Sequence, residues 1–407
     1  LIIFGAMKKI TLAILREEKA PYDLRTPLSP DQCIKVQQLF PHVNLIVQQS
    51  AHRCFSNEQY SSVGINVVED ISNADILLGV KEVPYNHLIP EKTYLYFSHT
   101  IKKQPHNRKM LREILNKNIR LIDYETLVWD GGNRIIGFGR FAGIVGAHYA
   151  FVMLGKRYQN IELKPASQCK DLSDLYAQYS NITIPPQKIV LTGDGRVAHG
   201  AIEFLKKIKL HRVSQEEFLD NKYDHPVYVQ LRSEDYYTRK DGREWDKSDF
   251  YKHPQDYRSS FAAYYRNADV MINAVYWHTA IEPFFTAEEI KQDDFKIKII
   301  SDISCDIPGP LPSTLRSSTI ENPYYGYHPF LQKETPPFSN ASIDVQAVSN
   351  LPCELPVDAS IEFGDLLIRH VLPFLLIEDS ENIIYNATIA ENGKLLPKYM
   401  YLSDYIE

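Results

Sequence analysis

The sequence predicts an α/β protein of two Rossmann-like domains, each with a mostly parallel sheet, and a cleft between them. Three observations carry this reading. Short apolar runs alternate with amphipathic stretches through residues 9–124, the pattern of strands and helices in a parallel sheet covered on both faces. Further on, Ile189, Val190 and Leu191 run into a glycine turn and then a helix, in IVLTGDGRVAHGA over 189–201. At 407 residues the chain is also too long for one compact core.

Taken in order, KITLAIL at 9–15 reads as a buried first strand. Pro30–Phe40 is an amphipathic helix, with Cys33, Val36, Leu39 and Phe40 on one face. Strands follow at 44–48, 66–69, 74–80, 94–98 and 120–124, with helices at 57–62 and 108–117. Arg16, Lys81, His99 and Glu125 each fall at or just beyond the carboxyl end of one of these strands. Open parallel sheets bind ligands along that edge, so four such residues together point to a site. Residues 138–156 form a long helix rich in small residues, and Gly139, Gly143 and Gly146 suit it to close packing. A short helix is expected at 171–180, and strands at 189–191, 210–213, 227–231, 268–274 and 298–302. The stretch 233–266 is polar and aromatic; it reads either as an insertion covering part of a cleft or as a surface excursion packing its own rings. Proline-rich loops fall at 307–313 and 335–337, and a helix at 366–376, shortened or kinked by Pro373, packs back on the first domain.

The totals exclude several classes. The chain is 44% hydrophobic and 24% charged, ordinary for a globular protein. Its net charge of −6 gives no electrostatic case for nucleic acid. The five cysteines are scattered without C-x-x-C spacing, which fits reduced thiols in the cytoplasm and neither a disulfide frame nor a metal site. No apolar run is long enough to span a bilayer, and Met7 followed by KKITLAIL reads as a start.

The glycine stretch has the spacing G-x-G-x-x-A, with Gly193, Gly195 and Ala198. Bare backbone N–H groups at a helix N-terminus can cradle a pyrophosphate. An ordinary strand-to-helix turn would use the same glycines, so both readings stay open on these residues alone. A dinucleotide site beside a charged sheet edge suggests hydride transfer. The strand ending at Val213 is followed by Ser214, not by the carboxylate that would bind a ribose 2′-hydroxyl, which tilts the cofactor toward NADP while leaving NAD possible. Lys81 and His99 are the acid/base candidates, since a lysine among other cations loses basicity and histidine titrates near neutrality. Arg25, Lys102 and Arg134 could hold substrate carboxylates. For each of these alone a solvated or structural charge is the competing reading.

Longer runs carry more. GVKEVP at 79–84, YFSHTIKKQ at 96–104, RLIDYE at 120–125, RIIGFGRFAG at 134–143, LTGDGRVAHGA at 191–201, INAVYW at 272–277, SDISCD at 301–306 and LPCELPVDAS at 351–360 resemble lysine-forming saccharopine dehydrogenase. The likeness is to the lysine–ketoglutarate reductase half of the bifunctional enzyme, and more distantly to alanine dehydrogenase and transhydrogenase. It implies reductive condensation of lysine with 2-oxoglutarate to saccharopine, using NADP or NAD. It implies Lys81 and His99 as the acid/base pair and Glu125 as a carboxylate tuning the lysine and its neighbours. It places Arg25, Lys102, Arg134 and Phe138 around the substrate. Gly193, Gly195, Arg196, Val197, Ser214 and Asp302 would serve the cofactor. The domains implied are a substrate domain of residues 1–138 plus 318–407 and a dinucleotide-binding domain of 139–317. The chain departs from the family at AVSNLP, where Ser349 stands in place of an aspartate. A related dehydrogenase with another amine and oxo acid, or a catalytically silent nucleotide-binding protein, are the alternative functions.

Overall fold

The computed structural model describes residues 9–407; the opening LIIFGA and the start read at Met7 lie outside them. The chain divides into two compact units, one running to Phe138 and resuming at Pro356–Glu407, the other Gly139–Leu355.

The first unit is built on β1 (Ile10–Ile14), β2 (Val43–Gln48), β3 (Asn66–Val68), β4 (Ile76–Lys81), β5 (Thr93–Phe97) and β6 (Arg120–Asp123). They lie in the order β3-β2-β1-β4-β5-β6, all parallel, and antiparallel strands Thr388–Glu391 and Lys394–Leu395 extend the β6 edge. Side chains of a strand alternate between faces. Leu12 and Ile14 of β1, Ile76 and Leu78 of β4, and Leu95 of β5 therefore join one apolar cluster. Ala13, Leu77, Tyr94 and Tyr96 join another on the opposite face. Burial on both faces explains the continuous apolar runs in the sequence. The helix Pro30–Leu39 starts where Ser29 and Gln32 form a reciprocal cap and Pro30 occupies the first turn, whose missing N–H costs nothing there. The closing helix begins at Pro356 and runs to His370; a second short one, Leu372–Leu376, carries Pro373 in its first turn. Phe363, Leu367, Val371 and Leu372 pack into the first unit's core, so the tail returns to that unit as expected, with a break at the proline.

The second unit holds β7 (Lys188–Thr192), β8 (His211–Arg212), β9 (Val227–Leu231), the hairpin β10 (Tyr237–Arg239) and β11 (Tyr257–Ser259), then β12 (Val270–Asn273), β13 (Ile299–Asp302), β14 (Tyr324–His328), β15 (Lys333–Thr335) and β16 (Ile343–Gln346). Its large sheet has the order β8-β9-β7-β12-β13-β16-β14-β15. The sequence reading ends this domain at residue 317. In the structure residues 318–355 stay with it, because β16 pairs parallel with β13 and β14 pairs antiparallel with β16. The aromatic stretch 233–266 packs its own rings: Tyr236, Tyr237, Phe250, Tyr257, Phe261 and Tyr265 are buried in one cluster with Val190, Val227 and Val229 of the sheet.

The helix Gly139–Tyr158 lies against the helix Arg196–Lys207 that follows the glycine turn. A Cβ on Gly143 would overlap the Val197 carbonyl, so the two backbones touch where only glycine fits. Gly143→Ala should therefore cost about 1–3 kcal/mol through forced separation and lower the thermal midpoint. Gly195→Ala, whose Cβ meets open space, should leave it in place. Equal midpoints for the two variants would contradict this packing.

Candidate active site

In the first unit, strand order reverses beside β1, so the loops after β1 and β4 leave the sheet in different directions and open a crevice at its carboxyl edge. Glu17 spans it. Its side chain accepts the N–H of Val80 at 2.6 Å and of Lys81 at 2.8 Å. Burial pushes the Glu17 carboxyl up to about 8, and the neighbouring Asp23 carboxylate adds to the rise against those two N–H groups.

Lys81 closes β4. Burial lowers its pKa from the ordinary lysine value, and the Arg25 guanidinium lowers it further, while Asp23 and Glu82 oppose the shift. The next residue, Glu82, is buried and accepts from His99 Nδ1 at 3.3 Å. It also pairs with Lys19. Burial alone would raise Glu82; the bonds from His99 and Lys19 outweigh it and hold the carboxyl down at about 2. A carboxylate on Nδ1 favours the proton on that nitrogen and leaves Nε2 to exchange protons with a ligand. His99 itself stands in the left-handed region, at φ 52° and ψ 17°. The turn is braced from below. Ser98 donates to Asp123 at 2.5 Å and Asn107 donates to the Ser98 carbonyl at 3.1 Å.

Glu125 gathers the cations further along the edge. Its Oε1 lies 3.1 Å from Arg134 and 3.5 Å from Lys102. Its Oε2 is buried and has no hydrogen-bond partner among the described residues. The carboxylates acting on Lys81 are thus Asp23 and Glu82, whereas Glu125 organises Lys102 and Arg134.

Two predicted residues are placed differently from expectation. Arg25 is 4% exposed and binds Asp23 in bidentate fashion, at 2.9 and 2.6 Å, while its guanidinium stacks 4.1 Å above the Phe138 ring. It is a buried ion pair that sets the charge around Lys81. Phe138 in turn stacks on Phe363 at 4.5 Å. Arg16 turns away to Glu18 and Glu69. The residue reading missed Glu17, Asp23 and Glu82. The signal for two of them was present, since Glu17 and Glu82 directly follow Arg16 and Lys81 in sequence.

In the second unit, β7 ends in Gly193, whose φ of 108° lies in the region glycine favours. Gly195 caps the helix Arg196–Lys207 without any side-chain bond, and a helix N-terminus of this kind suits an anion. Arg196 and Val197 form the first turn of that helix, and Arg196 is exposed. These residues fit the pyrophosphate of a dinucleotide: bare backbone, a helix N-terminus and room above Gly195. Asp302 is buried, with both oxygens taken: Oδ1 accepts from Asn273 at 2.8 Å and Ser304 at 2.8 Å, Oδ2 from Thr314 at 2.7 Å. It braces the carboxyl ends of β12 and β13. Ser214 caps the helix Gln215–Asp220, exchanging bonds with Glu217. Among the described residues no group of three or more His, Cys, Asp or Glu is placed to hold a metal ion, and no helix is long and apolar enough to cross a membrane.

Two open parallel sheets, one ending in a glycine turn and the other in a cluster of titratable groups, define a two-domain α/β protein of the alanine dehydrogenase fold. The chain superposes on an L-alanine dehydrogenase with a TM-score of 0.66, covering 98% of this chain and 100% of that one at 14% identity. Residues 13–145 match the family model described as the alanine dehydrogenase/PNT N-terminal domain. The mitochondrial alpha-aminoadipic semialdehyde synthase of Mus musculus is 29% identical over 451 aligned positions, 98% of this chain and 48% of that protein. The saccharopine dehydrogenase (NAD(+), L-lysine-forming) of Emericella nidulans is 23% identical over 391, covering 90% of this chain and 92% of that one. The chain is similar to saccharopine dehydrogenases and alpha-aminoadipic semialdehyde synthases, the resemblance its motifs carry, and it spans about half the length of the synthases it matches.

Glu82 sits below its ordinary value of 4.5 in the folded protein, so it contributes stability above that pH and the contribution fades as pH falls toward 2. Glu82→Gln should therefore destabilise by about 1–3 kcal/mol at neutral pH, the scale of buried donors left unmet. The difference from the parent should shrink on acidification. Denaturant midpoints across this range check it; a gap that widens toward low pH would contradict the assignment.

Proposed function

We propose that the chain reductively condenses the ε-amine of L-lysine with the ketone of 2-oxoglutarate to give saccharopine, or runs the reverse. The observation that carries this is the Lys81–Glu82–His99 group at the carboxyl edge of the first sheet, beside Lys102 and Arg134 on Glu125. The first unit would hold the two substrates and the second the cofactor. The five scattered cysteines fit a reducing compartment.

The chemistry needs protons moved at one carbon. Lysine must lose a proton before its amine attacks the ketone. The resulting carbinolamine must then gain a proton on oxygen for water to leave. A lysine whose ammonium form is disfavoured by burial can take the first proton. His99, held by Glu82 through Nδ1, can deliver the second from Nε2. Lys102 and Arg134 supply positive charge for the substrate carboxylates, the guanidinium in bidentate fashion. The buried Oε2 of Glu125 supplies an acceptor for an N–H of the amine partner. A bound reduced nicotinamide supplies the hydride that reduces the imine carbon, with the second unit's glycine turn taking its pyrophosphate. NADP is the preferred form on this reading.

Purified protein should consume NADPH only when lysine and 2-oxoglutarate are both present. Lys81→Met and His99→Gln should each lower kcat by about 10²–10⁴-fold, the usual worth of a general acid or base, and leave NADPH binding unchanged. Nicotinamide absorbance over a panel of amines and oxo acids checks this. No turnover with this pair by protein that binds NADPH, or turnover with a different amine, would sink the assignment.

A further inference from the structure

In the second unit the two strands on the outer side of β7 are exchanged relative to chain order. In an open sheet with a glycine turn after its first strand, the adenosine ribose is read at the carboxyl end of the strand beside it. Chain order would make that strand β8, which leads into Ser214. The structure puts β8 at the sheet edge and inserts β9 between it and β7. β9 runs parallel to β7 in register from Lys188 opposite Val227 to Thr192 opposite Leu231. Ser214 is occupied as a helix cap.

The end of β9 is tied directly to the glycine turn. Gly193 N–H donates to the Leu231 carbonyl at 2.8 Å, and Gln230 Nε2 donates to the Gly193 carbonyl at 3.0 Å. The next residue is Arg232. Its Nε lies 3.9 Å from Asp194, the residue between the two glycines, and its Nη1 lies 3.6 Å from Glu234. All three side chains are well exposed, so these pairs are worth about 1 kcal/mol or less and yield readily to a stronger anion. Asp235 is committed to the Arg232 backbone N–H at 2.6 Å. Residues 230–233 themselves, Gln, Leu, Arg and Ser, include no carboxylate; Asp194 and Glu234 are the acidic groups beside Arg232, and a 2′-phosphate would have to displace them from it. A groove of about 430 Å³ runs along the carboxyl ends of β8 and β9, bordered by Arg212, Ser214, Gln215 and Gln230.

We infer that Arg232, at the end of β9, is the residue that selects the ribose substituent, receiving a 2′-phosphate and so favouring NADP(H) over NAD(H). The inference rests on the dinucleotide reading above and moves the selecting position from Ser214 to β9. A guanidinium matches a phosphate dianion in charge and geometry, whereas a ribose hydroxyl offers it only a neutral partner.

The test is equilibrium binding of NADPH and NADH to the full chain, read by nicotinamide fluorescence without turnover. The parent should prefer NADPH. Arg232→Ala should weaken NADPH roughly 10- to 100-fold, the scale of one charge-assisted phosphate contact, and NADH by less than about 3-fold. Arg232→Lys should recover part of the NADPH affinity, because the charge returns without the fork. Ser214→Ala should leave the NADPH-to-NADH ratio where it was. An unchanged ratio in Arg232→Ala, or a ratio moved by Ser214→Ala alone, overturns the inference and leaves the dinucleotide reading standing. Failure of the parent to bind either nucleotide overturns both.

Discussion

The side chain of Glu17 joins two strand ends that the chain itself does not join. By accepting the N–H groups of Val80 and Lys81, it ties the loop after β1 to the end of β4 at the place where the sheet changes direction. A Cβ at Gly79 would crowd Leu15 at 3.3 Å and come into ordinary contact with the Glu17 side chain at 3.5 Å. The crevice that Glu17 spans is lined by groups that would repel one another without partners. Asp23 and Arg25 form one buried pair, Glu82 takes His99 and Lys19, and Glu125 takes Lys102 and Arg134. Each carboxylate fixes a cation in place before any ligand arrives, which spares the site that reorganisation later.

One consequence is that Lys81 differs from a surface lysine. Its burial and the Arg25 guanidinium both disfavour its charged form. Arg25, which sequence reasoning offers as a substrate clamp, acts in the structure on the lysine through charge. On the proposed reading the clamp falls to Lys102 and Arg134, which are more exposed and share one oxygen of Glu125. The second unit repeats the same logic with backbone: Gly193 and the bare cap at Gly195 present N–H groups, and Asp302 with Asn273 locks the neighbouring strand ends.

Much of the fold was legible because its signals are local. Apolar runs of strand length, the Ser29–Gln32 cap and the glycine turn are each decided within a few residues. Lys81 and His99 were legible because they follow such runs. What local pattern could not carry was pairing between distant segments. Residues 324–346 lie among prolines and show little alternation, yet become strands because β13 offers them an edge. The exchange of β8 and β9 is of the same kind: β9 pairs with β7 along five residues, and β8 pairs only with β9. The partners of Arg25 and Glu125 are likewise settled by packing, since sequence cannot tell a cation that meets a ligand from one already paired.

The central claim is that the first unit's sheet edge disfavours the charge on Lys81. Reductive ¹³C-methylation followed by NMR titration, with the Lys81 signal assigned by its absence in Lys81→Arg, measures that directly. The account predicts a midpoint clearly below the ordinary 10.5 of a lysine, rising toward it in Arg25→Gln as the neighbouring guanidinium is removed. A midpoint at or above 10.5 in the parent protein would contradict it.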